Sequence, residues 1–131
     1  MKYNLVYICS PYRPRADNET DRALELNANI KLARDACTLA AYRGHIPVAP
    51  HLYFPQFLND EKPMERQCGM NMGLEILSHC TELWVITPRI SEGMAAEIKY
   101  AREHDIPVLI FTSRGMFERY TGDGLPTENA L

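Results

Sequence analysis

The stretch from Thr87 to Ala101 has the residue types of a site for an anionic ligand. It follows an apolar, β-rich run, Leu83–Ile86, and then takes on the composition of a helix. Ser91 is a residue type that caps helix N-termini, and Gly93 lets a ligand approach the backbone closely. The free N–H groups and partial positive charge of a helix N-terminus attract phosphate and other anions. Glu97 lies one turn further along, so its carboxylate would act on whatever the anion anchors.

An ordinary surface helix with a capping serine and a solvated glutamate has the same pattern, so the interpretation depends on what else reaches this place. The first apolar run, Asn4–Cys9, is interrupted by Ser10–Arg15, because two prolines cannot continue a central strand. That loop carries Ser10, Arg13 and Arg15, all of which can hold an oxyanion. Its alternative interpretation is a solvated turn.

Aromatic residues follow the second strand-like run, His45–Pro50, which Pro50 ends. The segment begins with His51, and its aromatic residues are Tyr53, Phe54 and Phe57. These side chains belong either to the core or to a wall against which a flat ring can stack.

Strand-like and helix-like segments alternate along the chain. The predicted strands are Asn4–Cys9, His45–Pro50, Leu83–Ile86 and Ile106–Phe111. The predicted helices are Asp21–Arg43, with an apolar face at Leu26, Ile30, Ala33, Cys37 and Ala40; a segment capped at Asn59–Lys62 that runs from Pro63 to about His79; and Gly93–His104. This alternation predicts an α/β fold, a three-layer doubly wound (flavodoxin- or Rossmann-like) parallel sheet of four to five strands.

In such folds ligands bind beyond the carboxyl ends of the strands, where the strand order reverses. The loops after the first three strands therefore converge. We expect Ser10, Arg13, His51 and the Ser91–Glu97 segment to line one crevice.

The composition is that of one globular domain. We expect the α/β domain to span residues 1–112, and residues 113–131 to form a tail that is disordered or contacts a neighbouring subunit. The formal net charge of −3 gives no electrostatic case for binding nucleic acid. No apolar run has the ~18 residues of a membrane span, and no signal peptide is recognisable, so we expect a cytoplasmic protein. The four cysteines form no CxxC pair; three lie in apolar patterns typical of buried thiols, and no metal site is expected.

Two motifs resemble the nucleoside 2-deoxyribosyltransferase family. They are Tyr7-x-Cys9-x-x-x-Arg13 and Ser91-x-Gly93-x-x-x-Glu97-x-x-x-Ala101. The closer likeness is to the 2'-deoxynucleoside 5'-monophosphate N-glycosidases of that family, and the order of elements agrees over residues 3–112. The chain also resembles a group of bacterial and phage proteins, without an assigned activity, marked by the phrases APHLYFPQFL and ELWV…ISEGMAAEI.

The resemblance implies a role for each candidate residue. It implies that Glu97 is a nucleophile attacking the anomeric carbon and that Tyr7 orients it. The 5'-phosphate would be held by Ser10, Arg13, Ser91 and Gly93, and His51 would lie near the sugar or the base. One position departs from the pattern: Gly73 aligns with an aspartate that assists the leaving base, and the nearby Asn71, Glu75 and Glu92 do not replace it by spacing alone.

Three functions are compatible with these residues. The first is cleavage of the N-glycosidic bond of a nucleoside 5'-monophosphate or related N-ribosyl compound, or exchange of its base, without a cofactor and in a homo-oligomer. Hydrolysis is favoured because the Ser-x-Gly pair is typical of the monophosphate enzymes. The second is a non-catalytic nucleotide-binding or sensing module, which the glycine at position 73 favours. The third is a flavodoxin-like carrier, which Pro11 and Pro14 disfavour.

Overall fold

The computed structural model describes residues 3–87, 89–112 and 127–128. The strands are β1 (Leu5–Cys9), β2 (Ile46–Val48), β3 (Glu82–Thr87), β4 (Val108–Thr112) and β5 (Thr127–Glu128). The helices are α1 (Glu19–Tyr42), α2 (Pro63–Leu77) and α3 (Glu92–Glu103). Two short 3-10 helices, Pro50–Leu52 and Phe54–Gln56, follow β2. The four predicted strands and three predicted helices are confirmed, with bounds that differ by a few residues.

The strands form one sheet in the order β2-β1-β3-β4-β5. The first four are parallel, as predicted, and the order reverses beside β1. The fifth strand, by contrast, is antiparallel: Leu109 pairs with Glu128 and Ile110 with Thr127. Part of the predicted tail thus extends the sheet of its own chain. The rest of that tail, residues 113–126 and 129–131, lies outside the described residues, and its contact with a neighbouring subunit stays a prediction.

The two faces of the sheet are covered by different helices. Residues Val6, Ile8, Trp84, Ile86 and Phe111 pack on the side of α1, against Ala36, Leu39 and Ala40. Residues Tyr7, Cys9, Leu83 and Val85 face the other way, towards Leu77 of α2 and Met94, Ile98 and Ala101 of α3. Because side chains alternate along β1, Tyr7 lies on the same side of the sheet as α2 and α3.

Three details of the sequence prediction are wrong. A polar side chain was predicted to cap α2, but the N-cap residue is Lys62, whose side chain makes no capping hydrogen bond. The Asn59 side chain instead accepts a hydrogen bond from the Glu61 amide (2.9 Å), in a turn before the helix. The apolar face of α1 is only partly buried, since Leu26 and Ile30 remain partly exposed while Ala33 and Ala40 are buried. All four cysteines are free, but two are buried where three buried thiols were expected: Cys9 and Cys80 are buried, Cys37 is partly buried and Cys68 is exposed.

Within the described part of the chain, none of the helices combines the length and the apolar character needed to cross a bilayer.

Candidate active site

A cavity of about 490 Å³ opens beyond the carboxyl ends of β1, β2 and β3. It is bordered by the loop after β1, the 3-10 segment after β2, one face of α2 and the beginning of α3. The predicted site residues Tyr7, Arg13, His51, Ser91, Gly93 and Glu97 all line it. The structure therefore brings together in one cavity the groups that the sequence placed on three separate loops.

Ser10 is the exception among the predicted residues. Its side chain is buried, and it is not among the residues that line the cavity. Its hydroxyl oxygen has no hydrogen-bond partner among the described protein atoms. The β1–α1 loop thus turns Ser10 into the protein interior and presents the residues after it to the cavity.

The floor of the cavity is formed by Tyr7 and Glu97. The Tyr7 hydroxyl donates a short hydrogen bond to Oε2 of Glu97, across 90 positions of sequence. Tyr7 is 1 % exposed, and burial, with the charge of Glu97, raises its pKa well above that of a free tyrosine. Tyr7 consequently stays protonated and can only donate to the carboxylate, which fixes the orientation of Glu97.

The second carboxyl oxygen of Glu97 has a different environment. Oε1 is buried and accepts no hydrogen bond from the described protein atoms. Burial raises the pKa of Glu97 to about 7, and the hydrogen bond from Tyr7 and the neighbouring Cys9 thiol act in the opposite direction without cancelling it. A carboxylate with one oriented oxygen and one bare oxygen has the properties of a nucleophile or a base.

The beginning of α3 forms the next part of the wall. Ser91 is the N-cap: its hydroxyl oxygen accepts from the Met94 amide at 3.2 Å, as the sequence predicts. A Cβ placed on Gly93 would meet no atom within 4 Å, so protein packing does not require glycine there. The open space at Gly93 and the first amides of α3 therefore face the cavity, where the helix favours negative charge.

The loop after β1 is braced by Glu25 and Arg89. Glu25 accepts hydrogen bonds from the amide of Arg15 at 2.8 Å and from that of Ala16 at 3.1 Å. Arg89 donates to the carbonyl of Arg13 at 3.0 Å and lies 3.6 Å from Glu25. These contacts hold the Arg13 backbone at the rim, while its exposed side chain is available to a ligand.

His51 lies against Tyr12 on the wall opposite α3. The two rings are stacked, with centroids 5.3 Å apart and planes inclined by 20°. Burial lowers the pKa of His51, against the charge of Asp60, so the imidazole is neutral near pH 7. Of the aromatic residues that follow His51, Phe54 lines the cavity. Tyr53 and Phe57 are 63 % and 54 % exposed, so their assignment to the core is wrong.

Sequence reasoning did not single out several of the residues that line this cavity. Arg66 and Tyr12 line the cavity, but nothing in their local sequence distinguishes them. The structure gives a packing reason for the glycine at position 73. A Cβ at position 73 would lie 3.0 Å from the Tyr7 hydroxyl oxygen and 3.7 Å from Oε2 of Glu97. A side chain there would need the Tyr7 hydroxyl to shift by a few tenths of an ångström, whereas the contact with Glu97 is an ordinary one.

Among the described residues, no group of three or more His, Cys, Asp and Glu side chains is arranged to hold a metal ion.

We expect Gly73→Ala to destabilise the fold by about 1–3 kcal/mol, because the added methyl group would lie 3.0 Å from the hydroxyl oxygen of the buried Tyr7 side chain. Gly69→Ala is the matched control: on the same helix its Cβ would make ordinary contacts, 3.6 Å to Leu58 and 4.0 Å to Phe54. Urea unfolding of both variants measures the difference. Equal free energies of unfolding for the two variants would contradict the close contact at position 73.

We expect the free energy of unfolding of the wild type to fall, relative to Glu97→Gln, as the pH rises from about 4.5 to about 7. In this window the folded protein retains a proton that the unfolded chain has released, because the folded-state pKa of Glu97 is raised from 4.5 to about 7. The difference reaches at most about 3 kcal/mol above pH 7. Urea midpoints at several pH values test it; parallel curves for the two proteins would show that the pKa is not raised.

Comparison with known proteins gives a fold and a family. The structure is similar to that of the 2-deoxyribosyltransferase of the psychrotolerant bacterium Bacillus psychrosaccharolyticus, with a TM-score of 0.62. The two sequences are 18 % identical, and the match covers 82 % of this chain and 72 % of the other. That likeness establishes a deoxyribosyltransferase-like fold. No curated protein sequence matches the chain. Residues 4–111 match the family described as "Domain of unknown function (DUF7768)", and the chain belongs to that family.

Proposed function

We propose that the protein acts on the N-glycosidic bond of a nucleoside 5'-monophosphate or a related N-ribosyl compound, with Glu97 as the nucleophile. The observation that carries this proposal is the state of the Glu97 carboxyl group. Oε2 is fixed by Tyr7, Oε1 is buried without a hydrogen-bond partner among the described protein atoms, and Glu97 lines a cavity large enough for a nucleotide. The similarity of the fold to a 2-deoxyribosyltransferase supports the same class of chemistry.

The chemistry follows from the geometry. The ionised Glu97 carboxylate attacks the anomeric carbon, and the C–N bond breaks with its electron pair going to the base. The transition state is oxocarbenium-like, so the carboxylate first stabilises the positive charge and then captures it as an ester. Water then hydrolyses the ester, or a second base displaces the carboxylate. Tyr7 keeps Oε2 in place throughout.

The phosphate end of the substrate is assigned to α3. Ser91 and Gly93 lie at the helix N-terminus, Arg13 lies on the braced loop beside it, and all three line the cavity. Free amides, a helix dipole and a guanidinium together favour a dianionic phosphate. A 5'-phosphate fixed there would anchor the sugar while the base departs, and hydrolysis is favoured over transfer on the likeness to the monophosphate enzymes.

A second function, nucleotide binding without chemistry, is favoured by Gly73. Departing bases usually need a proton or a strong hydrogen bond, an effect worth about 10²–10⁴-fold. Glycine leaves position 73 without an acid, and a side chain there would need the Tyr7 hydroxyl to shift. A sensing module would use the same cavity and bind the same nucleotides.

We expect wild-type protein to release free base from at least one member of a panel of ribo- and deoxyribonucleoside 5'-monophosphates, and Glu97→Gln to release none. The glutamine is isosteric and can still accept from Tyr7, so nucleotide binding should change little. Chromatography of the products measures release, and thermal shift measures binding. Stabilisation by a nucleotide without any product would favour the sensing module, and unchanged turnover in Glu97→Gln would remove the nucleophile.

We expect kcat/KM to rise with pH, by up to tenfold per unit, and to level off above about pH 7, because the nucleophile must be ionised and burial raises the pKa of Glu97 to about 7. Tyr7→Phe removes the hydroxyl that stabilises the carboxylate, so the midpoint should move to higher pH. Initial rates across a pH series in both proteins test this. A midpoint that stays in place in Tyr7→Phe would mean that another group controls the profile.

A further inference from the structure

The wall of the cavity that faces α3 carries an arginine to which the proposed chemistry assigns no role. Arg66 lies near the start of α2 and lines the cavity with Gly69 and Met70, which follow one turn later on the same helix. Within the part of the chain that the structure describes, its guanidinium forms no hydrogen bond or ion pair. Arg22 and Arg89 differ, because both donate to backbone carbonyls of the loop after β1. Arg66 is thus a partly buried cation with no structural partner among the described residues.

Its position relative to Glu97 follows from helix geometry. Gly73 lies beside Glu97, 3.7 Å from its Oε2 when a Cβ is added. Arg66 comes seven residues earlier, about 10 Å along the axis at 1.5 Å per residue. Helices α2 and α3 contact each other on one face of the sheet and both begin at the cavity. A sugar above Glu97 would therefore have α3 on one side and Arg66, further out, on the other.

The space between Glu97 and Arg66 is lined by apolar surface. The side chains of Phe54 and Leu58 pack towards Gly69, within 4.0 Å and 3.6 Å of where its Cβ would be, and Met70 completes this wall. Flat apolar walls of this kind suit the faces of a nucleobase. With the phosphate assigned to α3, this slot is the one left for the leaving base.

We propose that Arg66 binds the leaving base through two parallel hydrogen bonds, and that the substrate's base is a 6-oxopurine, which presents a carbonyl oxygen and a ring nitrogen side by side. Guanidinium binds this pair of acceptors in a fork geometry. The inference rests on the proposed function and names the leaving-group class of that same site. It gives Arg66 the task of stabilising the departing base by charge.

The reaction balances without a protein acid at position 73. As Glu97 bonds to the anomeric carbon, the C–N electron pair passes to the base, which leaves as an anion paired with Arg66. Water supplies the proton that neutralises the base, and the hydroxide equivalent hydrolyses the glycosyl ester, so the net consumption is one water. The neutral His51, stacked on Tyr12, brings no charge to this step. A guanidinium that pairs with the developing negative charge is an effective substitute for proton donation.

The test compares two leaving groups on one sugar phosphate. We expect Arg66→Gln to slow single-turnover release of hypoxanthine from 2'-deoxyinosine 5'-monophosphate about 100-fold, in line with the loss of one charge-stabilising donor. Release of nitrophenolate from the corresponding 4-nitrophenyl 2-deoxyribose 5-phosphate should change less than about threefold, because this anion departs without assistance. Arg66→Lys, which keeps the charge and loses the fork, should fall between the two. Arg34→Gln, an exposed arginine on α1, is the matched control for net charge and should behave as wild type.

Calorimetry of the separate products gives a readout that does not depend on turnover. We expect Arg66→Gln to weaken the binding of hypoxanthine at least tenfold and to leave that of 2-deoxyribose 5-phosphate unchanged. Equal slowing of both leaving groups, or weaker binding of the sugar phosphate, would assign Arg66 to the phosphate and overturn the proposal. So would a leaving-group-selective loss in His51→Asn with none in Arg66→Gln. If wild type released neither leaving group, the proposed function would fail, and calorimetry would still decide whether Arg66 contacts the base.

Discussion

The hydrogen bond between Tyr7 and Glu97 is the interaction on which the rest of the site depends. It joins the first strand to the third helix, and both partners lie at the floor of the cavity. A buried carboxylate needs compensation for lost hydration, and here a buried hydroxyl supplies part of it. The remaining penalty appears as the raised pKa of Glu97. The glycine at position 73 is a consequence, because α2 must pass close to the Tyr7 hydroxyl. The carboxyl group whose ionised form burial disfavours thus lies where β1, α2 and α3 approach one another closely. Groups with such shifted pKa values are concentrated at functional sites.

The side chains around the cavity are richer in positive charge than the chain as a whole. The formal net charge is −3, yet five of the ten arginines line the cavity, together with the acidic Asp60, Glu92 and Glu97. Two of these arginines, Arg22 and Arg89, hold the loop after β1 through its backbone. Arg13 and Arg66 do not hold this loop with their side chains, and they line the cavity from two different elements, where a ligand can reach them. A negative net charge is therefore compatible with a small anionic ligand in a local positive field.

Much of the fold was predictable because its signals are local. The strand β1 is a short apolar run ended by prolines, and α3 begins at a serine that caps it, so a few neighbouring residues specify each. The alternation of such elements predicted the parallel order of β1 to β4. Errors arose where local signals were weak or absent: no side chain caps α2, and the pairing of Thr127–Glu128 with β4 depends on a long return of the chain.

The sequence by itself determined the α/β architecture and the edge of the sheet at which Arg13, His51, Ser91, Gly93 and Glu97 meet, because topology alone brings the carboxyl ends of parallel strands together. Only the tertiary structure decided which side chains point into the cavity. It turned Ser10 into the interior, placed Tyr53 and Phe57 outside the core, and brought Arg66 to the wall across from α3. It also gave the reason for Gly73, which is the approach of α2 to Tyr7. These outcomes depend on packing between segments tens of residues apart, which no local pattern encodes.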